Sequence, residues 1–310
     1  MSMADSKPLV SIGMPVYNGE RFIRQALDSL LAQDYENVEL IISDNASTDA
    51  TWQICQEYAV RDARIRLNSN ECNLGSIANF GIVLNMARGL YFMWAAADDY
   101  WLPEFVSVMV SELETHPEAD VAMCAIKRER RDGSLVRPYR RLDAANPNRM
   151  SKFALAMALV SGKPYWFIYG LFRTDFIRRA FPRFPKVYSG DVLFVCELAL
   201  ATRFRYVDQV LFISTRRNEP AATRFPGERY IHGDFVARLK LIAMACPYLM
   251  SSRLIPWHRK PFVPLLALRF AGLALLKGHP FMPVMTTLVR SVLPPTMRRK
   301  IRQLLGRDVR

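Results

Sequence analysis

Apolar positions along the first 125 residues follow two alternating patterns. Short solid runs at 9–14, 38–42, 65–67, 90–95 and 121–125 have the length and hydrophobicity of strands buried on both faces. Between them the apolar residues recur at helical spacing. In 20–33, Phe22, Ile23, Ala26, Leu27, Leu30 and Leu31 share one helical face. Ser47-Thr48-Asp49 offers cap residues for a helix reaching about Arg61, and further helices are predicted over 75–87 and from Pro103 to about Thr115. This strand–helix alternation predicts a largely parallel, doubly wound α/β sheet. Ligands bind such sheets beyond the carboxyl ends of the strands. Tyr17-Asn18, Asp44-Asn45 and Asp98-Asp99 each follow a strand end and are expected to converge on one edge.

The second half is less regular. A basic run at 127–131 precedes Asp132-Gly133, a predicted hairpin tip. Helices are predicted over 150–160, 175–180 and 192–201, and strands over 166–172 and 206–214. From about Arg224 the pattern becomes helical and amphipathic. No internal repeat or low-complexity segment interrupts it.

Charge changes this picture. The 310 residues hold 42 Lys and Arg against 29 Asp and Glu. Residues 251–310 contain 12 of the basic residues and one acid, Asp308, leaving 30 basic and 28 acidic residues in the first 250. A nearly neutral body with a basic, apolar tail does not fit a nucleic-acid-binding protein, which spreads basic residues over its working face. The polar start, 1–8, lacks a secretory signal pattern. Cys55, Cys72, Cys124, Cys196 and Cys246 are scattered and odd in number, which argues against a zinc site or disulfide framework and suits a reducing cytosol. The tail's apolar stretches, 261–276 and 281–293, are shorter than the roughly 20 residues that span a bilayer. With the basic amphipathic stretch 297–305, they suit a helix lying on an anionic membrane surface or, alternatively, a helical cap packed on the domain.

Three segments carry candidate chemistry. Pro15-Val16-Tyr17-Asn18-Gly19-Glu20 opens a strand into a turn whose aromatic could stack on a nucleobase; by itself it is equally a plain strand–turn–helix corner. Asp44 stands at a strand tip, where it could accept a hydrogen bond from a pyrimidine N–H, while Ser47 to Asp49 read as a helix cap. Asp98-Asp99 ends a hydrophobic strand. Mg²⁺ is typically held by one or two carboxylates plus substrate phosphates, and such a cation neutralises a departing diphosphate.

Together these segments resemble the inverting family 2 glycosyltransferases, which have the GT-A fold. The resemblance spans roughly residues 8–220 and rests on Pro15-Val16-Tyr17-Asn18, Ser43-Asp44-Asn45-Ala46-Ser47-Thr48-Asp49, Asn73-Leu74-Gly75 and Asp98-Asp99 in that order. It implies transfer of a sugar from a nucleotide-sugar donor, UDP-linked before dTDP or GDP, to a glycan or lipid-linked acceptor. The setting implied is bacterial glycan assembly such as lipopolysaccharide or exopolysaccharide, with the chain cytoplasmic and peripheral on the inner face of the plasma membrane. Pro15, Tyr17, Asn18, Glu20 and Asp44 would surround the nucleotide. Asp98 would face the ribose or metal shell, and Asp99 would bind Mg²⁺ or Mn²⁺. Asp191, in Ser189-Gly190-Asp191-Val192-Leu193-Phe194, aligns with the family's catalytic base, although it is also placed to cap the following helix.

Three departures stand out. Gly190 replaces the usual Glu, Ser43 replaces one of a pair of acids, and Ser214-Thr215-Arg216-Arg217-Asn218 stands where relatives carry Tyr-Arg-x-His. Arg216 or Arg217 is a candidate diphosphate contact. The QxxRW motif of processive synthases is absent, which favours transfer of a single sugar. The domains expected are a glycosyltransferase domain at 1–223, with a donor half at 8–125 and an acceptor half at 126–223, and a helical basic region at 224–310. The rivals are a nucleotidyltransferase, which needs a glycine-rich loop after the first strand, and a non-catalytic nucleotide-sugar-binding protein of the same fold.

Overall fold

The computed structural model describes residues 7–130, 147–162, 165–187, 190–216 and 235–276. The first strand, β1 (Val10–Val16), is followed by helix α1 (Ile23–Leu31), β2 (Val38–Asp44), α2 (Thr51–Arg61), β3 (Ile65–Ser69), α3 (Ser76–Met86) and β4 (Tyr91–Trp94). β1 lies between β2 and β4 and β2 pairs with β3, all in parallel. Side-chain alternation on β1 divides the packing between the two faces. Val10, Ile12, Met14 and Val16 join Ile23, Ala26, Leu27 and Leu30 of α1 in the main core. Gly13, on the other face, lies against Val83 of α3 and Phe92 of β4. There Trp94 packs edge-on against Phe92 and Phe172, with Phe80 and Phe181 beside it.

Beyond β4 the sheet changes character. A two-residue strand, β5 (Tyr100–Trp101), precedes α4 (Phe105–Thr115) and the long β6 (Ala119–Arg130). Then come α5 (Lys152–Gly162), β7 (Leu171–Arg173), α6 (Thr174–Ala180), α7 (Gly190–Ala201) and β8 (Arg203–Arg216). The full strand order is β3-β2-β1-β4-β7-β6-β8-β5. β7 runs antiparallel to both β4 and β6, β6 and β8 are parallel, and β5 is antiparallel to β8. The sheet is thus mixed and parallel-dominated.

The strand expected over 166–172 is mostly a 3-10 turn, Tyr165–Tyr169, with strand only from Leu171. Its aromatic run reads as strand, but Phe167 and Tyr169 instead fill gaps beside Phe204 and Phe212. The hairpin tip expected at Asp132-Gly133 lies outside the described residues.

At the amino-terminal edge of the parallel strands, Glu39 of β2 is buried and fully engaged. It accepts from Ser11 Oγ at 2.5 Å, Arg66 Nη1 at 2.6 Å and the Arg88 amide at 2.7 Å. Burial pushes its carboxyl upward, but the bonds from Ser11, Arg66 and Arg88 prevail and hold it below the usual carboxylate range. Gly89 closes this edge. A Cβ there would lie 2.5 Å from the Leu9 carbonyl oxygen, so no side chain fits.

The chain divides into two compact units. One comprises Met1–Arg141, Trp166–Phe184 and Thr202–Tyr230 and contains the sheet; the other comprises Leu142–Tyr165, Pro185–Ala201 and Ile231–Arg310. The second unit is helical. α5 packs on α7, and both meet the C-terminal helices α8 (Phe235–Met250) and α9 (Val263–Leu276). A sequence division at 223 groups α5 and α7 with the sheet, whereas their contacts group them with α8 and α9.

Candidate functional site

In the sheet unit, three loops leave the carboxyl ends of β1, β2 and β4 and meet there. The Asn45 amide donates to the Val16 carbonyl at 2.9 Å, and the Ala95 amide to that of Gly13 at 2.8 Å. The β1 and β2 loops are stitched together. Asn18 donates through its amide to Ser47 Oγ at 2.9 Å, and its Oδ1 accepts the Thr48 amide at 2.8 Å. The Gly19 amide reaches Thr51 Oγ1 at 2.7 Å, and Glu20 Oε2 accepts the Ala50 amide at 2.8 Å, one residue before α2. The side-chain cap expected from Ser47 to Asp49 does not form: Ala50 stands at the cap position of α2, and Asp49 Oδ1 instead accepts the Thr51 amide at 3.0 Å in a local turn. Asn18 and Glu20, expected at the nucleotide, are therefore occupied in fastening one loop to the other. Both loops carry strain, with Asn18 at φ 49° and Ala46 at φ 59°, a region that non-glycine residues rarely adopt.

Asp44 sits at the tip of β2, 2% exposed. Its Oδ2 accepts the Ser47 amide at 3.0 Å, while its Oδ1 is buried and has no hydrogen-bond partner among the described residues. An unmet buried oxygen of this kind costs about 1–3 kcal/mol. Pro15 and Tyr17 are half-buried on the adjoining end of β1, where Val16 is in register with Asp44.

Ser43, where a second acid was expected, points to the opposite face. Its Oγ donates to Asn79 Oδ1 of α3 at 2.6 Å, and Asn79 Nδ2 returns a bond to the Ser43 carbonyl at 2.8 Å. Asn79 belongs to an amide network that the sequence analysis missed. Asn70 Nδ2 bridges Asn45 Oδ1 and Asn79 Oδ1, and Asn45 Nδ2 reaches Asn73 Oδ1 at 2.8 Å. Asn73 Oδ1 then accepts the Gly75 amide at 2.9 Å. The available signal was the clustering of Asn at 68, 70, 73 and 79, from the end of β3 to the first turn of α3. The network holds the β2 tip and the start of α3 in one arrangement.

Asp98 and Asp99 follow β4. Asp98 is half-buried; Asp99 is 6% exposed, and its Oδ1 accepts the Thr215 amide at 2.8 Å. That bond ties the acidic pair to the end of β8, whose last residue is Arg216. The Arg216 side chain and Arg217 lie outside the described residues. Among the described residues no group of three or more His, Cys, Asp or Glu could hold a metal ion.

Asp191 belongs to the helical unit. It is the second residue of α7 and partly buried, and burial raises its carboxyl above the usual range against the opposing backbone N–H groups of Val192 and of Asp191 itself. Gly190 before it is constrained. A Cβ at 190 would sit 2.1 Å from the Pro185 carbonyl oxygen, so the glycine standing where a Glu was expected is required by the local backbone. At its other end α7 is held by cations. Lys152 Nζ donates to the Ala201 carbonyl at 3.1 Å, and Arg259 Nη1 to those of Leu200 and Ala201 at 2.8 and 3.2 Å.

Comparisons with known proteins agree with this geometry. Residues 11–179 match the family described as glycosyl transferase family 2. The uncharacterized glycosyltransferase EpsJ of Bacillus subtilis is 30% identical over 228 residues, covering 71% of this chain and 64% of EpsJ. The chain thus spans somewhat under two thirds of that relative's length. Among solved structures, S. aureus TarS 1-349 in complex with UDP-GlcNAc superposes with a TM-score of 0.65 at 19% identity, covering 89% of this chain and 78% of that one. The mannosyltransferase PcManGT from Pyrobaculum calidifontis, in complex with GDP-Man and Mn²⁺, superposes with a TM-score of 0.55 at 18% identity, covering 97% and 86%. These likenesses establish the GT-A fold.

Proposed function

The chain belongs to glycosyl transferase family 2, and from that premise we propose that it moves a single sugar from a nucleotide-diphosphate sugar, UDP-linked, to a hydroxyl of a glycan or lipid-linked acceptor with inversion. The carrying observation is the buried, partnerless Asp44 Oδ1 at a strand tip beside Pro15 and Tyr17. A pyrimidine imide N–H would satisfy that oxygen, and the Tyr17 ring offers a stacking face for the base.

The acidic pair fits a divalent cation that arrives with its diphosphate. Mg²⁺ and Mn²⁺ accept one or two carboxylates and take substrate oxygens for the rest. In this reading Asp99 holds the ion, Asp98 faces the ribose or metal shell, and Arg216 lies beside the diphosphate. The ion, when bound, neutralises charge developing on the leaving group. Asn18 and Glu20 serve by fixing the loop that carries Tyr17.

Asp191 is the proposed general base, taking the acceptor hydroxyl proton as its oxygen attacks the anomeric carbon. A carboxyl raised by burial holds a proton more tightly than an exposed one, which suits a group that must remove one. The basic, apolar C-terminal region suits peripheral attachment to the inner membrane face, where a lipid-linked acceptor would be met.

A nucleotide-sugar screen for free nucleotide, with and without Mn²⁺ or Mg²⁺, tests the reading in wild type and Asp44→Asn. UDP-sugar turnover that requires metal is expected, with UDP affinity falling roughly tenfold or more in the variant. Release from no donor, or undiminished UDP affinity in Asp44→Asn, would refute it.

A further inference from the structure

Between α8 and α9 the chain makes a 3-10 turn, Trp257–Phe262. Trp257 is 81% exposed and Phe262 47%; on α9, Leu265 and Leu268 are 54% and 69% exposed. Val263 and Leu266, on the other side of α9, are fully buried. Helical spacing puts 265 and 268 within about 60° of each other and away from 263 and 266. The described start of α9 is therefore apolar on both faces, whereas a helix with one face in water carries polar residues there.

The charge along this stretch is of one sign. Residues 251–276 contain Arg253, Arg259, Lys260 and Arg269 and no Asp or Glu. Arg259 is turned inward onto α7. A second copy seated on this patch would bring like charge against like. An anionic bilayer is complementary on both counts, because apolar side chains enter the acyl boundary, Trp sits at headgroup level and cations meet lipid phosphates. Among the described residues no helix is long and apolar enough to cross a membrane, so the fit is to a surface.

We propose that Trp257, Phe262, Leu265 and Leu268 form the surface by which this chain docks on an anionic phospholipid bilayer. The proposal deepens the membrane reading above by naming the residues that enter the lipid, and its readout is independent of sugar transfer. The test is co-sedimentation of the full chain with phosphatidylcholine vesicles with or without phosphatidylglycerol, in parallel with Trp257→Ser and a Leu265→Ser/Leu268→Ser variant. Wild type should bind the phosphatidylglycerol vesicles. Each variant should lose roughly tenfold or more of the partition coefficient, as expected for removing one or two inserted apolar side chains. UDP binding by calorimetry should be unchanged, which separates loss of docking from failure of the fold or of the donor reading. Brominated lipid should quench wild-type tryptophan emission, and Trp257→Phe should abolish the quenching. Equal binding by the variants, absence of wild-type binding, or a wild-type dimer that the variants convert to monomer would each overturn the proposal.

Discussion

Replacing Asp191 with Asn separates two roles that its position allows. The side chain starts at the second residue of α7, with the backbone N–H groups of Val192 and Asp191 as its partners. An amide oxygen still accepts those bonds, so the helix start should survive. Proton affinity is what changes. Burial raises the folded carboxyl pKa above its ordinary value of about 3.9, so its contribution to stability is complete below that value and is lost as pH rises through the raised one. Near pH 7 the wild type carries this penalty and the amide does not. The variant should therefore melt at or above the wild-type temperature at pH 7, and the difference should shrink toward pH 4. A base acting on the acceptor contributes about 10² to 10⁴-fold, so kcat for transfer should fall by that factor with UDP affinity intact. The wild-type kcat should itself decline on the acid side at a pH above the ordinary carboxylate range. Nucleotide-release kinetics, calorimetry and melting curves at pH 4, 5.5 and 7 provide the readings. If the variant keeps most of its transfer rate, or if it melts earlier while its folded fraction turns over normally, Asp191 is a cap and the base lies elsewhere.

Three further outcomes are expected. Asp99→Ala should abolish Mn²⁺-dependent UDP binding in calorimetry while the fold persists with loss of the bond from the Thr215 amide; unchanged metal-dependent affinity would remove Asp99 from the site. Glu39→Ala should cost about 3 kcal/mol in urea unfolding, because it leaves the partly buried Arg66 guanidinium without its carboxylate and the Ser11 hydroxyl without its acceptor. Its carboxyl is lowered, so this contribution is present above the ordinary carboxylate pKa and disappears as pH falls through the lowered one, and a wild-type-to-variant difference that persists at pH 2 would contradict the assignment. Gly190→Glu should not improve transfer even though it creates the acidic pair that the family resemblance led one to expect; it should lower the melting temperature, because the first side-chain carbon meets the Pro185 carbonyl, and a stable, faster variant would refute this.

The first 125 residues were legible because their signals are local. Each of β1, β2 and β4 is an apolar run, and the polar residues that come after them are the ones the fold brings together. Asp44 could be picked out because an acid at the tip of a buried strand has no packing role; Asp99 stood out as one of two adjacent acids, although β4 ends at Trp94, five residues before it. The amide network around Asn79 was not legible, because its members lie on three elements and Asn is at home in any loop. The short β7 was placed too early in the chain because its pairing with β4 and β6 is settled by tertiary contact, while the aromatic run before it mimics a strand. The C-terminal region also looked separable from its composition. Its burial of Val263 and Leu266 and its Arg259 bonds to α7 show that removing 251–310 would strip a packed layer from the helical unit, so point variants test membrane attachment more cleanly than deletion.

The clamp on the carboxyl end of α7 also bears on how such a protein can diverge. A helix rises about 1.5 Å per residue, so Asp191 and Ala201 stand about 15 Å apart on one stiff rod. Lys152 and Arg259 fix one end of that rod, and Asp191 sits at the other. The surface turn that carries Arg259 is thus not free to drift as an exposed loop ordinarily is. A lineage that remodels the turn for a different surface must keep a cation at 259 or find another donor for the Leu200 and Ala201 carbonyls, and because those acceptors are main chain the constraint falls on positions 152 and 259 and leaves the side chains at 200 and 201 free of it.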